Sequence, residues 1–186
     1  MLLHGTGASA HSWRTLAPLL AAQGFDVVAP DLPGHGFTNT PRRTAHDLPS
    51  VAQAVSGLLQ AMNVVPQLVI GHSAGAAVAL RMALNRTVKP ALTVAINGAI
   101  LPLQGPLGRL FLPIARLMAV NPVVAPAFAA WAGTRGATQR LIRGTGSRID
   151  AEGERAYAHL VRDATHAAGA LQLMASWDLD ALARDL

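Results

Sequence analysis

The feature that most constrains the fold is Gly71-His72-Ser73-Ala74-Gly75, which follows the apolar run Leu68-Val69-Ile70 and leads into a run of small residues. This order predicts a strand, a sharp turn and a helix, with the Ser73 hydroxyl at the apex. A serine at such a tip has a strained backbone, so Gly71 and Gly75 must lack side chains for strand and helix to pass closely. Ser73 is therefore a candidate nucleophile at the positive end of a helix. A glycine-rich helix entry with a capping serine is the structural alternative.

Two glycine-containing loops precede this turn. The first, Leu2-Leu3-His4-Gly5-Thr6-Gly7, is typical of a buried strand that ends in a loop. Such a loop can offer a backbone N–H to an oxyanion, beside the N–H of Ala74, although a plain turn has the same pattern. The second loop, residues 30–38, holds two prolines and two glycines. There we expect Asp31 to be a hydrogen-bonded loop carboxylate and His35 to be structural, rather than an acid and a base.

Hydrophobic periodicity supplies the elements between these loops. Amphipathic spacing predicts helices over residues 12–22 and 46–62, and apolar runs predict strands over 25–29, 64–70 and 91–96. Strands that alternate with helices at these lengths imply a parallel sheet covered by helices on both faces. The predicted fold class is therefore α/β with a mostly parallel sheet.

Composition excludes several classes of protein. The 186 residues are 51% hydrophobic and 13% charged, as in one globular domain. The net charge of +5 comes from scattered Arg without aromatic and basic interleaving, which argues against a nucleic-acid partner. The chain has no cysteine, no recognisable signal peptide and no apolar tract of the roughly 20 residues that a membrane span needs. We expect a cytoplasmic protein with no metal site and no cofactor, and peripheral membrane contact is an open alternative.

Three motifs, in this order and spacing, resemble those of the α/β-hydrolase fold: His4-Gly5-Thr6-Gly7, Asp31-Leu32-Pro33-Gly34-His35-Gly36 and Gly71-His72-Ser73-Ala74-Gly75. A narrower resemblance is to the magnesium-chelatase accessory hydrolases of bacteriochlorophyll biosynthesis. It is carried by His4-Gly5-Thr6-Gly7-Ala8-Ser9, Gly71-His72-Ser73-Ala74-Gly75-Ala76-Ala77, Ile96-Asn97-Gly98-Ala99, Thr145-Gly146-Ser147 and Trp177-Asp178-Leu179.

The resemblance implies a role for each motif residue. Ser73 is the implied nucleophile of acyl transfer, and the N–H groups of Thr6 and Ala74 are the implied oxyanion hole. His72 would be a turn residue rather than the base. The remaining motif residues support the two loops: His4, Gly5, Gly71 and Gly75. The implied partners are a small-molecule substrate, which could be a porphyrin, and the subunits of magnesium chelatase.

One feature departs from the family pattern. The triad acid and histidine should follow the nucleophile on loops after later strands, but no convincing strand follows residues 91–96. We therefore expect a fold that is incomplete at both ends. Its parts would be a core over 1–100, a cap over 101–168, and the start of a second core part over 169–186. His159 and His166 are seven residues apart and could share one helix face, but a satisfied histidine is a better expectation than a base.

The segment 101–168 differs from the rest in composition. It is rich in leucine and proline and holds eight Arg against four acids, which predicts a helical cap inserted over the nucleophile. An apolar cavity rimmed by Arg would suit a flat ligand with carboxylates, such as a porphyrin. The alternative is an apolar cap core with a solvated Arg surface. The sequence of this segment shows no clean amphipathic period that would support contact with a membrane.

The sequence leaves three functions open. The first is a serine hydrolase associated with magnesium-porphyrin synthesis. The second is a non-catalytic accessory protein that holds a porphyrin for magnesium chelatase. The third is a generic carboxylesterase, which differs from the first only in its substrate.

Overall fold

A parallel sheet forms the centre of the chain. The computed structural model describes residues 1–39, 46–102 and 105–186. Within them the strands β1 (Leu2–Leu3), β2 (Leu68–His72) and β3 (Leu92–Ile96) lie side by side in that order, all parallel. The α/β class and the parallel sheet expected from the sequence are confirmed.

The register of the sheet brings the two glycine motifs together. Leu3, at the end of β1, lies opposite Gly71, and His72, at the end of β2, lies opposite Ile96. Because the carboxyl ends of parallel strands share one edge of the sheet, the loops that follow β1, β2 and β3 all leave from that edge.

Helices make up most of the remaining chain. In chain order they are α1 (Leu16–Ala22), α2 (Leu48–Ala61), α3 (Ala74–Leu84), α4 (Gly105–Val120), α5 (Val124–Ala132), α6 (Ala137–Gly144), α7 (Ala151–Arg162), α8 (Ala164–Ser176) and α9 (Leu179–Asp185).

The main core lies between the sheet and two of these helices. Helices α2 and α3 pack together, and α3 also packs on β2. The side chains with almost no exposed area in this cluster include Leu3, Leu32, Val51, Val69, Val78, Met82, Leu173 and Leu182. On the other face of the sheet, Leu2 of β1 and Ile70 of β2 pack with Trp13 in a second cluster. Burial of apolar area on both sides is what holds so short a sheet together.

Two of the predicted elements are wrong near the N-terminus. The helix predicted over 12–22 begins only at Leu16, after a 3₁₀ turn at Ala10–Trp13. Pro18 explains the late start, since a proline fits only the first turn of an α-helix. The strand predicted over 25–29 gives the sheet one hydrogen bond, from the Leu2 N–H to the Val28 carbonyl at 2.8 Å. Because β1 has only two residues, it is too short to form a full ladder of hydrogen bonds with residues 25–29.

The later elements are closer to their predictions. The helix predicted over 46–62 runs from Leu48 to Ala61 and is capped by Asp47, whose carboxylate accepts from the Ser50 N–H at 2.8 Å. The strand predicted over 64–70 runs instead over Leu68–His72, because Pro66 has no N–H for a ladder. Residues 92–96 form a strand, as predicted.

In its described residues, the segment predicted as a cap consists of helices joined by short loops. Helices α4 to α8 follow one another, and α8 continues without a break through residue 168, where the sequence places the end of the cap. In the described ranges, no single helix has the length and apolar composition to cross a membrane. The pair Leu110–Val120 and Val124–Ala132 has that length and composition only when the two are taken together, and a bend of 92° separates them.

We predict that Gly75→Ala destabilises the protein by about 3 kcal/mol or more, because a methyl group there meets rigid backbone. A Cβ atom on Gly75 would lie 2.5 Å from the Leu3 carbonyl carbon and 2.7 Å from the His4 carbonyl oxygen. The measurement is urea denaturation followed by circular dichroism.

Gly57→Ala is the matched control. Gly57 lies inside α2 with no atom within 4 Å of its added Cβ, so alanine should stabilise the helix by about 0.5–1 kcal/mol. A Gly75→Ala variant as stable as the parent would contradict the close approach of α3 to β1.

Candidate nucleophile site

Ser73 lies at the apex of the turn between β2 and α3. Its φ of 50° and ψ of −114° are unusual for a residue with a side chain, and such a conformation costs on the order of 1–3 kcal/mol. The side chain is half-buried, and α3 begins at the next residue, Ala74. The strand, turn and helix predicted from the sequence are therefore confirmed.

Backbone hydrogen bonds hold this strained turn. The Ser73 N–H donates to the Ile96 carbonyl at 3.0 Å, and the Ser73 carbonyl accepts from the N–H groups of Ala76 and Ala99 at 3.1 and 3.0 Å. A Cβ atom on Gly71 would lie 2.5 Å from the Ala76 nitrogen, so this glycine permits α3 to fold back against β2. The end of β3 and the first turn of α3 together fix the position of the hydroxyl.

The loop that follows β1 lies directly beside the turn. A Cβ atom built on Gly5 would lie 3.1 Å from the Ser73 Cβ and 3.0 Å from the His72 Nδ1. The Ala8 N–H donates to the Gly5 carbonyl at 3.2 Å and closes the loop. The structure therefore brings together the two motifs that the sequence singled out, 68 residues apart.

Backbone donors for an oxyanion are available at this junction. Within the described residues, the N–H groups of Thr6 and Ala74 donate no hydrogen bond to a protein acceptor. The Ala74 N–H belongs to the first turn of α3, where N–H groups lack helical partners and the helix dipole favours negative charge. The oxyanion role of these two groups remains a prediction.

Three buried histidines form a column behind the loop. The ring centroids of His4 and His35 are 5.4 Å apart, and those of His35 and His166 are 5.2 Å apart. His4 and His35 have no exposed area, and His166 is 4% exposed. The column connects the loop after β1, the loop over residues 30–38 and helix α8.

Hydrogen bonds set the protonation of the two outer rings. The Leu32 N–H donates to His4 Nε2 at 2.9 Å, so the proton of His4 lies on Nδ1, 2.8 Å from the Gly5 carbonyl. The Gly36 N–H donates to His166 Nδ1 at 3.1 Å, which leaves the proton on Nε2. Both rings are neutral in this arrangement, because each accepts from a backbone N–H.

Burial keeps the whole column neutral at pH 7. The pKa of His35 is lowered to about 3, mainly by desolvation and in addition by the neighbouring His4. Desolvation also lowers the pKa of His4 and of His166, although the carbonyls of Gly5 and Gly7 oppose this effect. Among the described residues, His35 Nε2 has no hydrogen-bond partner, so a second proton on this ring would be buried without an acceptor.

Asp31 is a structural carboxylate, as predicted. One oxygen accepts from the Ala10 N–H at 2.7 Å, and the other accepts from the Phe37 N–H at 2.9 Å. These bonds tie the loop over residues 30–38 to the 3₁₀ turn.

The family follows from comparison with known proteins. The model of the alpha/beta hydrolase family matches residues 1–186. The chain belongs to the alpha/beta hydrolase family. The fold, the strained serine and the adjacent glycine loop agree with this assignment.

Individual relatives of this alpha/beta hydrolase are longer than the chain. It is 41% identical over 182 residues to the magnesium-chelatase 30 kDa subunit of Rhodobacter capsulatus, which covers 98% of the chain and 63% of that protein. The solved structure of epoxide hydrolase CorEH matches with a TM-score of 0.76 and 22% identity, over 94% of the chain and 64% of that structure. Epoxide hydrolase A from Mycobacterium thermoresistibile matches with a TM-score of 0.72 and 21% identity, over 99% and 67%. At these identities the two structures show the fold alone.

The histidines of this alpha/beta hydrolase lie in very different surroundings. His159 and His166 do not share a helix face as the sequence suggested, because the chain leaves α7 at Asp163 and starts α8. His159 is exposed, and His166 is held in the column. Within the described residues, no histidine hydrogen-bonds Ser73, so the structure assigns no base.

The cavities of the cap lie away from the nucleophile. One of about 350 Å³ is lined by residues of α6, α7 and the loop between them, including Arg143 and Arg148. Another of about 450 Å³ lies between α4 and α8 and is lined by Arg116. Neither is lined by Ser73. In the described ranges, no group of three or more His, Asp or Glu is placed to hold a metal ion.

The contact of α8 with the loop over residues 30–38 was missed in the sequence. A Cβ atom on Gly169 would lie 2.9 Å from the Gly34 Cα, so α8 rests directly on that loop. The sequence separates these glycines by 135 residues and gives no signal that they meet. His166, which the sequence analysis expected to be a satisfied histidine rather than a base, is the other half of the same contact.

We predict that the free energy of unfolding falls as the pH drops from 6.5 toward 3. The unfolded chain binds protons at the ordinary histidine pKa of 6.5, while the folded His35 stays neutral down to about 3. The stabilisation is complete above pH 6.5, and one such ring loses about 2 kcal/mol of it between pH 6.5 and pH 5. Urea denaturation at the two pH values measures the loss.

Between pH 6.5 and pH 5, the free energy of unfolding of the variant His35→Gln should fall by about 2 kcal/mol less than that of the parent. His159→Gln is the matched control, since it replaces an exposed histidine that lies outside the column. Equal pH dependence in the parent and in His35→Gln would refute the neutral column.

Proposed function

We propose that this alpha/beta hydrolase is a serine hydrolase that cleaves an ester or related carbonyl compound by acyl transfer through Ser73. The observation that carries the proposal is the strained Ser73 turn, with the Gly5 loop within van der Waals distance of it. A protein maintains a strained residue of this kind only where the surrounding structure over-determines it, and such residues cluster at active sites.

The proposed reaction has two steps. The Ser73 hydroxyl oxygen attacks the carbonyl carbon as a base takes its proton, and the N–H groups of Thr6 and Ala74 bind the resulting oxyanion. Collapse of this intermediate expels the alcohol and leaves an acyl ester on Ser73, which water then hydrolyses to the acid. Each oxyanion donor typically contributes about 10² to 10³ in rate.

The proposed setting is magnesium-porphyrin and bacteriochlorophyll biosynthesis. Its support is the 41% identity with the magnesium-chelatase 30 kDa subunit of Rhodobacter capsulatus over 98% of the chain. The proposed substrate is a small molecule, which could be a porphyrin ester, and the proposed partners are chelatase subunits.

The proposed division of the chain is the one expected from the sequence. Residues 1–100 would be the catalytic core and 101–168 the cap, with 169–186 as the start of a second core part. Because the chain spans 63% of the Rhodobacter relative, the triad acid and base are assigned to no residue here.

A fluorophosphonate probe should label Ser73, because an activated serine attacks the phosphorus and displaces fluoride. The longest form of the protein that the gene encodes is the material to use, and mass spectrometry locates the label. Ser73→Ala should abolish labelling. Ser147→Ala, which removes an exposed hydroxyl in the cap, should leave it unchanged. Labelling no stronger than that of Ser73→Ala would refute the proposed nucleophile.

A non-catalytic porphyrin-binding accessory protein is the second candidate. The similarity to a magnesium-chelatase subunit is the observation that favours it. A generic carboxylesterase would share the chemistry of the first proposal and differ in substrate.

The accessory function predicts that protoporphyrin binds at micromolar concentration and shifts its Soret band. Arg116 lines the cavity between α4 and α8 and would face a propionate, so Arg116→Gln should weaken binding about tenfold. Arg184→Gln, at an exposed position in α9, is the matched control. An unchanged Soret band over the whole titration would count against this function.

A further inference from the structure

Helix α4 presents a stripe of apolar side chains to solvent. Leu117 is 70% exposed and Leu110 is 58% exposed. The α4 stripe, as we call it, consists of Leu110, Phe111, Ile114, Leu117 and Met118, all of them exposed. These positions follow the i, i+4, i+7, i+8 spacing of one helix face.

The other side of α4 faces the body of the protein. Ala115 is buried, α4 packs along α8, and the Arg116 Nε donates to the Ala175 carbonyl at 3.2 Å. Ala115 and Arg116 thus hold the helix in place, while the side chains of the α4 stripe lie outside. Contiguous exposed apolar surface of this kind is rare in monomers and marks an interaction site.

The exposed apolar surface continues past the end of α4 to the start of α5. Val120 and Val123 are 77% and 66% exposed where α4 ends and α5 begins, and the two apolar helices diverge by 92° there. Exposed apolar side chains of this kind can enter the boundary between lipid headgroups and acyl chains to a depth of about 5–10 Å.

Helices α4 to α6 contain arginine and no acidic residue. Residues 48–149 contain no Asp or Glu at all, and residues 101–149 contain six Arg. These arginines are Arg109, Arg116, Arg135, Arg140, Arg143 and Arg148. An excess of guanidinium groups attracts the phosphates of anionic lipids.

We infer that the α4 stripe docks this protein on the surface of a bilayer that contains anionic lipid. Both components that interfacial binding requires are present, apolar side chains to bury and positive charge to attract the headgroups. A second copy of the chain fits less well, because it would bring another set of arginines, and no acid from 48–149, to the same surface. This inference does not depend on the chemistry at Ser73.

Vesicle sedimentation tests the inference. The chain is mixed with vesicles of phosphatidylcholine and phosphatidylglycerol in equimolar amounts, and separately with vesicles of phosphatidylcholine alone. We expect binding to the anionic vesicles, binding that is at least about tenfold weaker to the neutral ones, and loss of binding as salt screens the charges.

Leu117→Asp should weaken binding to the anionic vesicles at least about tenfold, since it removes buried apolar area and adds repulsion. Leu110→Asp is a second variant on the same face. Val65→Asp is the matched control, because Val65 is 77% exposed, as accessible as Leu117, but lies between α2 and β2. Circular dichroism establishes that each variant is folded.

The outcomes separate the docking of lipid from its alternatives. Selective loss of binding in Leu117→Asp or Leu110→Asp supports the inference. Equal binding to neutral and anionic vesicles, no binding at all, or equal loss in Val65→Asp overturns it. So does a dimer of the parent in analytical ultracentrifugation that Leu117→Asp dissociates, because the stripe would then cover a second copy.

Discussion

The close approach of β1, β2 and α3 is the constraint on which the rest of the structure depends. Backbone meets backbone at Gly71 and Gly75, and a single Cβ at either glycine would overlap a carbonyl or amide of the neighbouring element. Only this approach lets the chain turn within one residue, and Ser73 takes the strain of that turn. Because the bonds to Ile96 and Ala99 come from the next strand and its loop, the hydroxyl is fixed by the sheet as a whole.

The histidine column extends this order from the sheet to the cap. His4 fixes the start of the loop beside Ser73, His35 fills the interior of the next loop, and His166 arrives from α8. Three neutral rings fit here because each outer ring accepts a backbone N–H and none has to carry charge. Burial of the three rings stabilises the column while they are neutral. In acid the same burial destabilises the fold, because the unfolded chain takes up protons that the buried rings do not. The loop beside the nucleophile is thereby coupled to a helix far away in sequence.

The cap combines apolar helices with an excess of arginine over acidic residues. Such a composition is compatible with an enclosed cavity or with an outward-facing apolar surface, and the two arrangements have the same sequence pattern. The packing of α4 on α8 through Ala115 and Arg116 selects the second arrangement for α4. Function in this family depends on sites added to a common fold, so the nucleophile turn and the α4 stripe are separate questions.

The sequence alone determined the parallel α/β class and the turn at Ser73, because these depend on local rules: apolar runs, glycine spacing and helix periodicity. It placed 46–62 and 91–96 within a few residues, and it identified Asp31 as a loop carboxylate. The sequence prediction failed where distant residues decide the outcome. The strand predicted over 25–29 is an example, because β1 is too short to be its partner. Only the tertiary structure could show that His166 joins His4 and His35, that Gly169 meets Gly34, and that α4 turns Leu110 and Leu117 outward. Contacts between residues more than a hundred positions apart leave no periodic trace in the sequence, because they depend on how whole elements pack.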